Sequence, residues 1–126
     1  MKELILDTNV FIRFFIKDVP SQFEKTREIF EKIEKREIKG FVSILVVNEI
    51  IWILENFYNL KREIYLPKLL KLLLLDNIKV IEVKKNLLIK VLQQMQKQKF
   101  DFADLYLSQI AGEKKIFTFD KDFKKL

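Results

Sequence analysis

Apolar residues in this chain fall into two rhythms, short continuous runs and longer stretches at helical spacing, and the two alternate along its length. Leu4-Ile5-Leu6 is a continuous run that stops at the polar Asp7-Thr8-Asn9, the pattern of a buried parallel strand. Val10 to Ile16 crowds apolar residues, with Arg13 and Lys17 on another face, and predicts a short helix interrupted at Asp18-Val19-Pro20-Ser21. From Ser21 to Arg36, Phe23, Ile29, Phe30 and Ile33 recur among charges, so this helix has one buried and one wet face. After Glu37-Ile38-Lys39-Gly40, Phe41-Val42 gives a brief second strand, and Ser43 stands where a helix cap belongs. Glu49 then falls two turns into the third helix.

A further helix is expected from Glu63 to Leu75, and Asp76-Asn77 turns into Ile78-Lys79-Val80-Ile81-Glu82-Val83, which alternates like a third strand. Asn86 to Lys97 reads as a helix. Asp101 caps another, Phe102 to Ala111, with Asp104 in its first turn and Gly112 as its stop. Lys115-Ile116-Phe117-Thr118-Phe119 reads as a fourth strand ending at Asp120, and Asp122-Phe123 begins a last turn. Strands separated by helices imply βαβ units, right-handed crossovers and a parallel sheet with helices on both faces. The class is α/β, and 126 residues are the size of one domain.

Composition narrows the chemistry. The chain has no Cys, which removes disulfides, thiolate zinc sites and cysteine nucleophiles. It also has no His, the usual general base of Ser-His hydrolases and of nucleases that activate a ribose hydroxyl. Hydrolysis here must run on carboxylates, lysines, hydroxyls or a metal ion. The charge of +6 becomes +10 once four acids are set aside, 24 bases against 14 remaining acids, and reads as a basic surface around an acidic spot. The start of the chain runs straight into a strand pattern without a leader-like segment, and a cytoplasmic protein is expected. The largely apolar stretch Phe41 to Tyr58 carries Glu49 at its centre, which suits a buried helix better than a membrane span.

Two acids, Asp7 and Asp120, end short apolar strands, where ligands gather in open α/β sheets. Glu49 and Asp104 lie in helices among apolar neighbours. An ionised carboxylate buried among Val46, Val47, Ile50 and Ile51 needs a partner, and no basic residue is an obvious match. Carboxylates held together repel unless a divalent cation compensates them, and oxygen ligands without imidazole or thiolate point to Mg²⁺ or Mn²⁺.

Asp7-Thr8-Asn9-Val10, Glu49 within Val46-Val47-Asn48-Glu49-Ile50, Asp101-Phe102-Ala103-Asp104-Leu105 and Thr118-Phe119-Asp120-Lys121-Asp122-Phe123 together resemble the four acidic blocks of PIN domains, in the same order and over nearly the whole chain. The short form resembles the VapC-type toxins of prokaryotic toxin–antitoxin pairs. The resemblance implies a three-layer α/β/α fold with four, at most five, strands over residues 1–126. It also implies a ribonuclease in which Asp7, Glu49, Asp104 and Asp120 hold the metal that activates water for in-line attack on an RNA phosphodiester. Thr8 or Asn9, and Thr118, match polar residues that support the ligands through hydrogen bonds. A homodimer and a cognate antitoxin are the implied protein partners. The departure from the family is at the end, where six residues follow Asp120 in place of a helix or turn and a fifth strand.

Plainer roles stand beside these. Asp7 serves equally as a turn former, Asp104 as a first-turn acid on the helix dipole, and Asp120 and Asp122 as exposed terminal charges. Leu69-Leu70 with Leu72 to Leu75 suits core or a dimer seam, and Trp52 with the twelve Phe suits packing. Lys84-Lys85, Lys97 with Lys99, Lys114-Lys115 and Lys124-Lys125 suit solvated faces, or steer a phosphate backbone if they border the acids. The alternative function is a non-catalytic PIN-like module that binds RNA or protein. A receiver-like module is disfavoured because Ile78 to Val83 lacks an Asp at its end, and an Asp-x-Asp phosphatase because position 9 is Asn.

Overall fold

The apolar run at the start forms strand β1 (Lys2–Ile5), and Asp7 caps helix α1 (Thr8–Ile16). Helix α2 (Pro20–Glu34) opens on Pro20, whose missing N–H is one that a first helical turn leaves unpaired anyway. Strand β2 (Ile38–Val42) leads through Ser43 into α3 (Ile44–Asn56), and the Ser43 hydroxyl accepts from the Leu45 N–H as a cap should. Helix α4 (Arg62–Leu73), strand β3 (Ile78–Val80), α5 (Lys85–Lys97) and α6 (Phe102–Ala111) follow. Gly112 ends α6 at φ +58°, a backbone that L side chains rarely adopt. The computed structural model describes residues 1–121 and 123, so Asp122 and Lys124-Lys125 lie outside the described residues.

The strands form one parallel sheet in the order β1-β2-β3, with Leu4 beside Gly40 and Gly40 beside Ile78. Both crossovers step across the sheet in the same direction, and right-handedness then puts their helices on one face. Burial agrees: Leu6, Ile38, Val42 and Ile78 point into the core. In the alternate positions Glu3 and Lys79 are exposed, Lys39 and Phe41 are half-buried, and Ile5 is 76% exposed. The helical cover expected on both faces is thus seen on one among the described residues, and the sheet has three strands where four or five were expected.

The missing strand is Lys115–Phe119, which adopts no regular element; Phe117 and Phe119 are 87% and 90% exposed. Its apolar residues suit a strand, but a strand exists only as one side of a ladder, and here no strand pairs with it among the described residues. The third strand is also shorter than its pattern. Ile81 still donates to the Val42 carbonyl at 3.0 Å, and Glu82 then leaves the sheet.

Leu66, Leu69, Leu70, Leu72 and Leu73 of α4 are buried, Leu75 is half-buried and Leu74 is 54% exposed, so the leucine cluster is core except at Leu74. The buried leucines pack in one apolar body with Val47, Ile50 and Leu54 of α3 and with Leu88 and Leu92 of α5. No helix among the described residues is long and apolar enough to cross a membrane.

Candidate active site

Parallel strands end on the same edge of a sheet, so the residues that follow β1, β2 and β3 meet there. Asp7 follows β1. Its side chain accepts the Thr8 N–H at 2.7 Å, which turns the chain into α1 and leaves the carboxylate at a helix N-terminus. Asp7 and Asn9 are exposed, whereas Thr8 is 4% exposed.

Ser43 and α3 follow β2, and Glu82 follows β3. Glu82 reaches back to α3, where its carboxylate accepts from the Ser43 hydroxyl and, at 2.8 Å, from the Ile44 N–H. Desolvation pushes this carboxyl up, but the hydrogen bonds from Ser43, Ile44 and its own backbone N–H together outweigh it and hold it below the usual carboxylate range. Glu82 is a residue that periodicity hides, because it extends an alternating strand pattern that ends earlier than the pattern does.

Glu49 does not occupy the buried position expected of it. Ile44, Val47, Ile50, Ile51 and Leu54 form the buried face of α3, and Glu49 lies on the opposite, exposed face. Leu45 and Trp52, one turn either side, are exposed there with it, at 77% and 61%. Trp52 is therefore surface, not core packing.

Asp104 and Asp120 come closest to the expected cluster. Asp104 is half-buried in the first turn of α6. Desolvation, and then the charges of Asp101 and Asp120, hold its carboxyl above the usual range. Asp101 stands at the cap position of α6, yet its side chain makes no capping hydrogen bond; it is 85% exposed and lies 3.9 Å from Arg62. An acid three residues before another on one helix shares its face, and that spacing is the signal that marks Asp101. Asp120 is held by its own segment: its N–H donates to Thr118 Oγ1 at 3.0 Å, and its carboxylate accepts the N–H of buried Phe123 at 3.4 Å. Beside it, Ser108, Lys114, Lys115, Thr118 and Phe123 line a cleft of about 380 Å³.

The donors fit a hard divalent cation: they are carboxylates only, and Asp104 already carries repulsion that a cation would relieve. They are not a finished cage, since no group of three or more acids is placed to hold a metal ion among the described residues. A protein-family model, that of the PIN domain, matches residues 4–126. Comparison with curated proteins and with solved structures gives no match.

Proposed function

We propose that this chain, which belongs to the PIN domain family, is a divalent-metal-dependent endoribonuclease and the toxin of a VapC-type toxin–antitoxin pair, acting in the cytoplasm. PIN domains are generally metal-dependent nucleases. The observation that carries the reading onto this chain is Asp104, a half-buried carboxyl raised by burial and by Asp101 and Asp120. Asp7, Glu49, Asp104 and Asp120 are the residues that would hold Mg²⁺ or Mn²⁺. Bound there, the cation supplies Lewis-acid activation of the attacking water and charge neutralisation at the phosphate.

The chain's own residues do the rest. Thr8 orients Asp7 through its backbone N–H, and Thr118 orients the Asp120 backbone. Lys114 and Lys115, in the cleft beside Asp120, attract an RNA phosphate. With no His in the chain, proton transfer falls to carboxylates and water.

A protein partner is supported by a second cleft, about 500 Å³, between α1, α2 and α4. Phe14, Phe15, Phe23 and Phe30 line it, with bases such as Lys68 and Lys71 and the acids Glu31 and Glu34 at its walls, and it suits an apolar segment of an antitoxin. A homodimer is part of the same reading, and exposed Phe57, which follows α3 two turns beyond Glu49, is apolar surface that it would cover.

Asp7→Asn and Glu49→Gln should abolish Mg²⁺- or Mn²⁺-dependent RNA cleavage; full activity in either removes that residue from the site. A second reading, a non-catalytic PIN-like module that binds RNA or protein, stands beside it, since among the described residues no group of three acids is placed to hold a metal ion. Calorimetry at millimolar Mg²⁺ separates the two, since the module takes up no metal.

A further inference from the structure

The geometry points to Arg62 as a positioning residue that fixes where α6 begins and so holds Asp104 in the acidic site, an inference that rests on Asp104 being a metal ligand. Arg62 opens α4, and its side chain is only 24% exposed. Its Nε donates to Glu55 Oε2 at 3.1 Å in the last turn of α3. Its Nη1 donates to the Gln98 carbonyl at 3.1 Å and reaches the Met95 carbonyl at 3.5 Å, both at the C-terminal end of α5. Its Nη2 lies 3.9 Å from Asp101 Oδ1, at the start of α6. From the start of α4, one planar fork therefore bonds the ends of α3 and α5 and brings its charge within 3.9 Å of the start of α6, which a flexible ammonium does less well.

Each of these contacts has a physical reason. The α5 carbonyls are the acceptors that a helix C-terminus leaves unpaired, and a cation there also meets the negative end of the helix dipole. The hydroxyl of buried Tyr65 donates to the same Glu55 oxygen, Oε2, so the guanidinium meets a carboxylate already held in place. Only Lys99 and Phe100 separate Gln98 from Asp101, so bonding the Gln98 carbonyl, with the guanidinium charge 3.9 Å from Asp101 beyond it, limits where α6 can begin. Asp101 does not cap the helix with its side chain, and the first α6 hydrogen bond runs from the Leu105 N–H to the Asp101 carbonyl at 3.1 Å. Asp104 lies inside that turn. If Arg62 lets go, the turn is free to fray and Asp104 to leave its neighbours.

The test compares the unaltered protein with Arg62→Gln, Arg62→Lys and Tyr65→Phe. Two quantities are read: Mn²⁺ affinity by calorimetry, and hydrogen exchange of the Leu105 amide in metal-free protein. Tyr65→Phe loosens the same network without touching the grip on α6, so it should lower the melting temperature and leave both quantities unchanged. Arg62→Gln should weaken Mn²⁺ binding about tenfold or more and speed Leu105 exchange, and Arg62→Lys should restore a part of each. Arg62→Gln that matches Tyr65→Phe in both quantities overturns the inference. Should the unaltered protein bind no Mn²⁺, the metal reading fails on its own, and Leu105 exchange still decides whether Arg62 holds α6.

Discussion

Replacing Glu82 by glutamine removes a charge from the N-terminus of α3 while keeping an acceptor in place. In the parent, the Glu82 carboxylate takes the Ile44 N–H at 2.8 Å and the Ser43 hydroxyl, and Ser43 in turn takes the Leu45 N–H at 3.2 Å. A side chain 38 positions from Ile44 thus satisfies a helix-start amide. A charge-assisted hydrogen bond contributes about 1.5–3 kcal/mol and a carboxylate at a helix start about 0.3–1 kcal/mol. Glu82 is exposed, so solvent screening cuts the sum, and the glutamine carbonyl keeps part of the bond. The expected loss is about 1 kcal/mol at pH 7, or roughly 3–5 °C in melting temperature. The sign with pH follows from the depressed carboxyl. Its stabilisation is complete above the ordinary glutamate value and is lost as pH falls through the lower folded value, because the parent's carboxyl is then protonated and resembles the amide. Urea unfolding of parent and Glu82→Gln from neutral pH into acid measures the gap. A gap near zero at neutral pH, or one that stays constant into acid, refutes the carboxylate as the source. Ser43→Ala in a double-mutant cycle should show coupling, since the two side chains act on one helix start.

Two further outcomes are expected. A Cβ on Gly40 would lie 3.0 Å from Ile33 Cδ1, 3.0 Å from Leu6 Cδ1 and 3.1 Å from Ile78 Cδ1, so Gly40→Val should cost about 2 kcal/mol or more by overpacking. Gly40→Ala should stay within about 1 kcal/mol, because alanine's advantage over glycine in a strand offsets the squeeze, and chemical denaturation of both tests the pair. Asp104→Asn removes a carboxyl whose raised value marks a cost of ionisation, so the metal-free variant should melt about 2 °C higher than the parent at neutral pH, with the gap closing in acid. Thermal scans with and without Mn²⁺ check it, since added metal should stabilise the parent and not the variant.

The helices were legible because each carries its own evidence. Ser43 caps α3 and Gly112 stops α6 as their chemistry requires, and the bounds of α6 match its pattern residue for residue. Strands are a different matter. Ile116 to Phe119 is as apolar as β2, but β2 lies between two partners and the C-terminal segment has none among the described residues. Ladder partners come from elsewhere in the chain, so an apolar run reports only the capacity to pair. The same limit explains the open sheet face, since periodicity marks Ile5 as apolar but not what covers it.

Glu49 shows why an apolar window misleads for a helical acid. Of its sequence neighbours, Val47, Ile50 and Ile51 are buried, while Leu45, Asn48 and Trp52 are exposed. The helix carries apolar residues on both faces, so counting them around Glu49 gives no angle, and only the phase of the buried set at 44, 47, 50, 51 and 54 places Glu49 outside it. The uncompensated carboxylate charge therefore lies at the start of α6 and not at Glu49. There Asp101 and Asp104 share a helix face and Asp120 adds its charge, and Asp104 bears a cost that a cation would lift. Glu82 bounds the argument from the other side. It stands at the same strand edge as Asp7 and has the same chemistry, yet its carboxylate is committed to the start of α3. Asp7 also accepts a helix-start amide, that of Thr8, so position at that edge makes an acid a candidate, and the number of donors already compensating its charge, fewer at Asp7 than at Glu82, ranks the candidates.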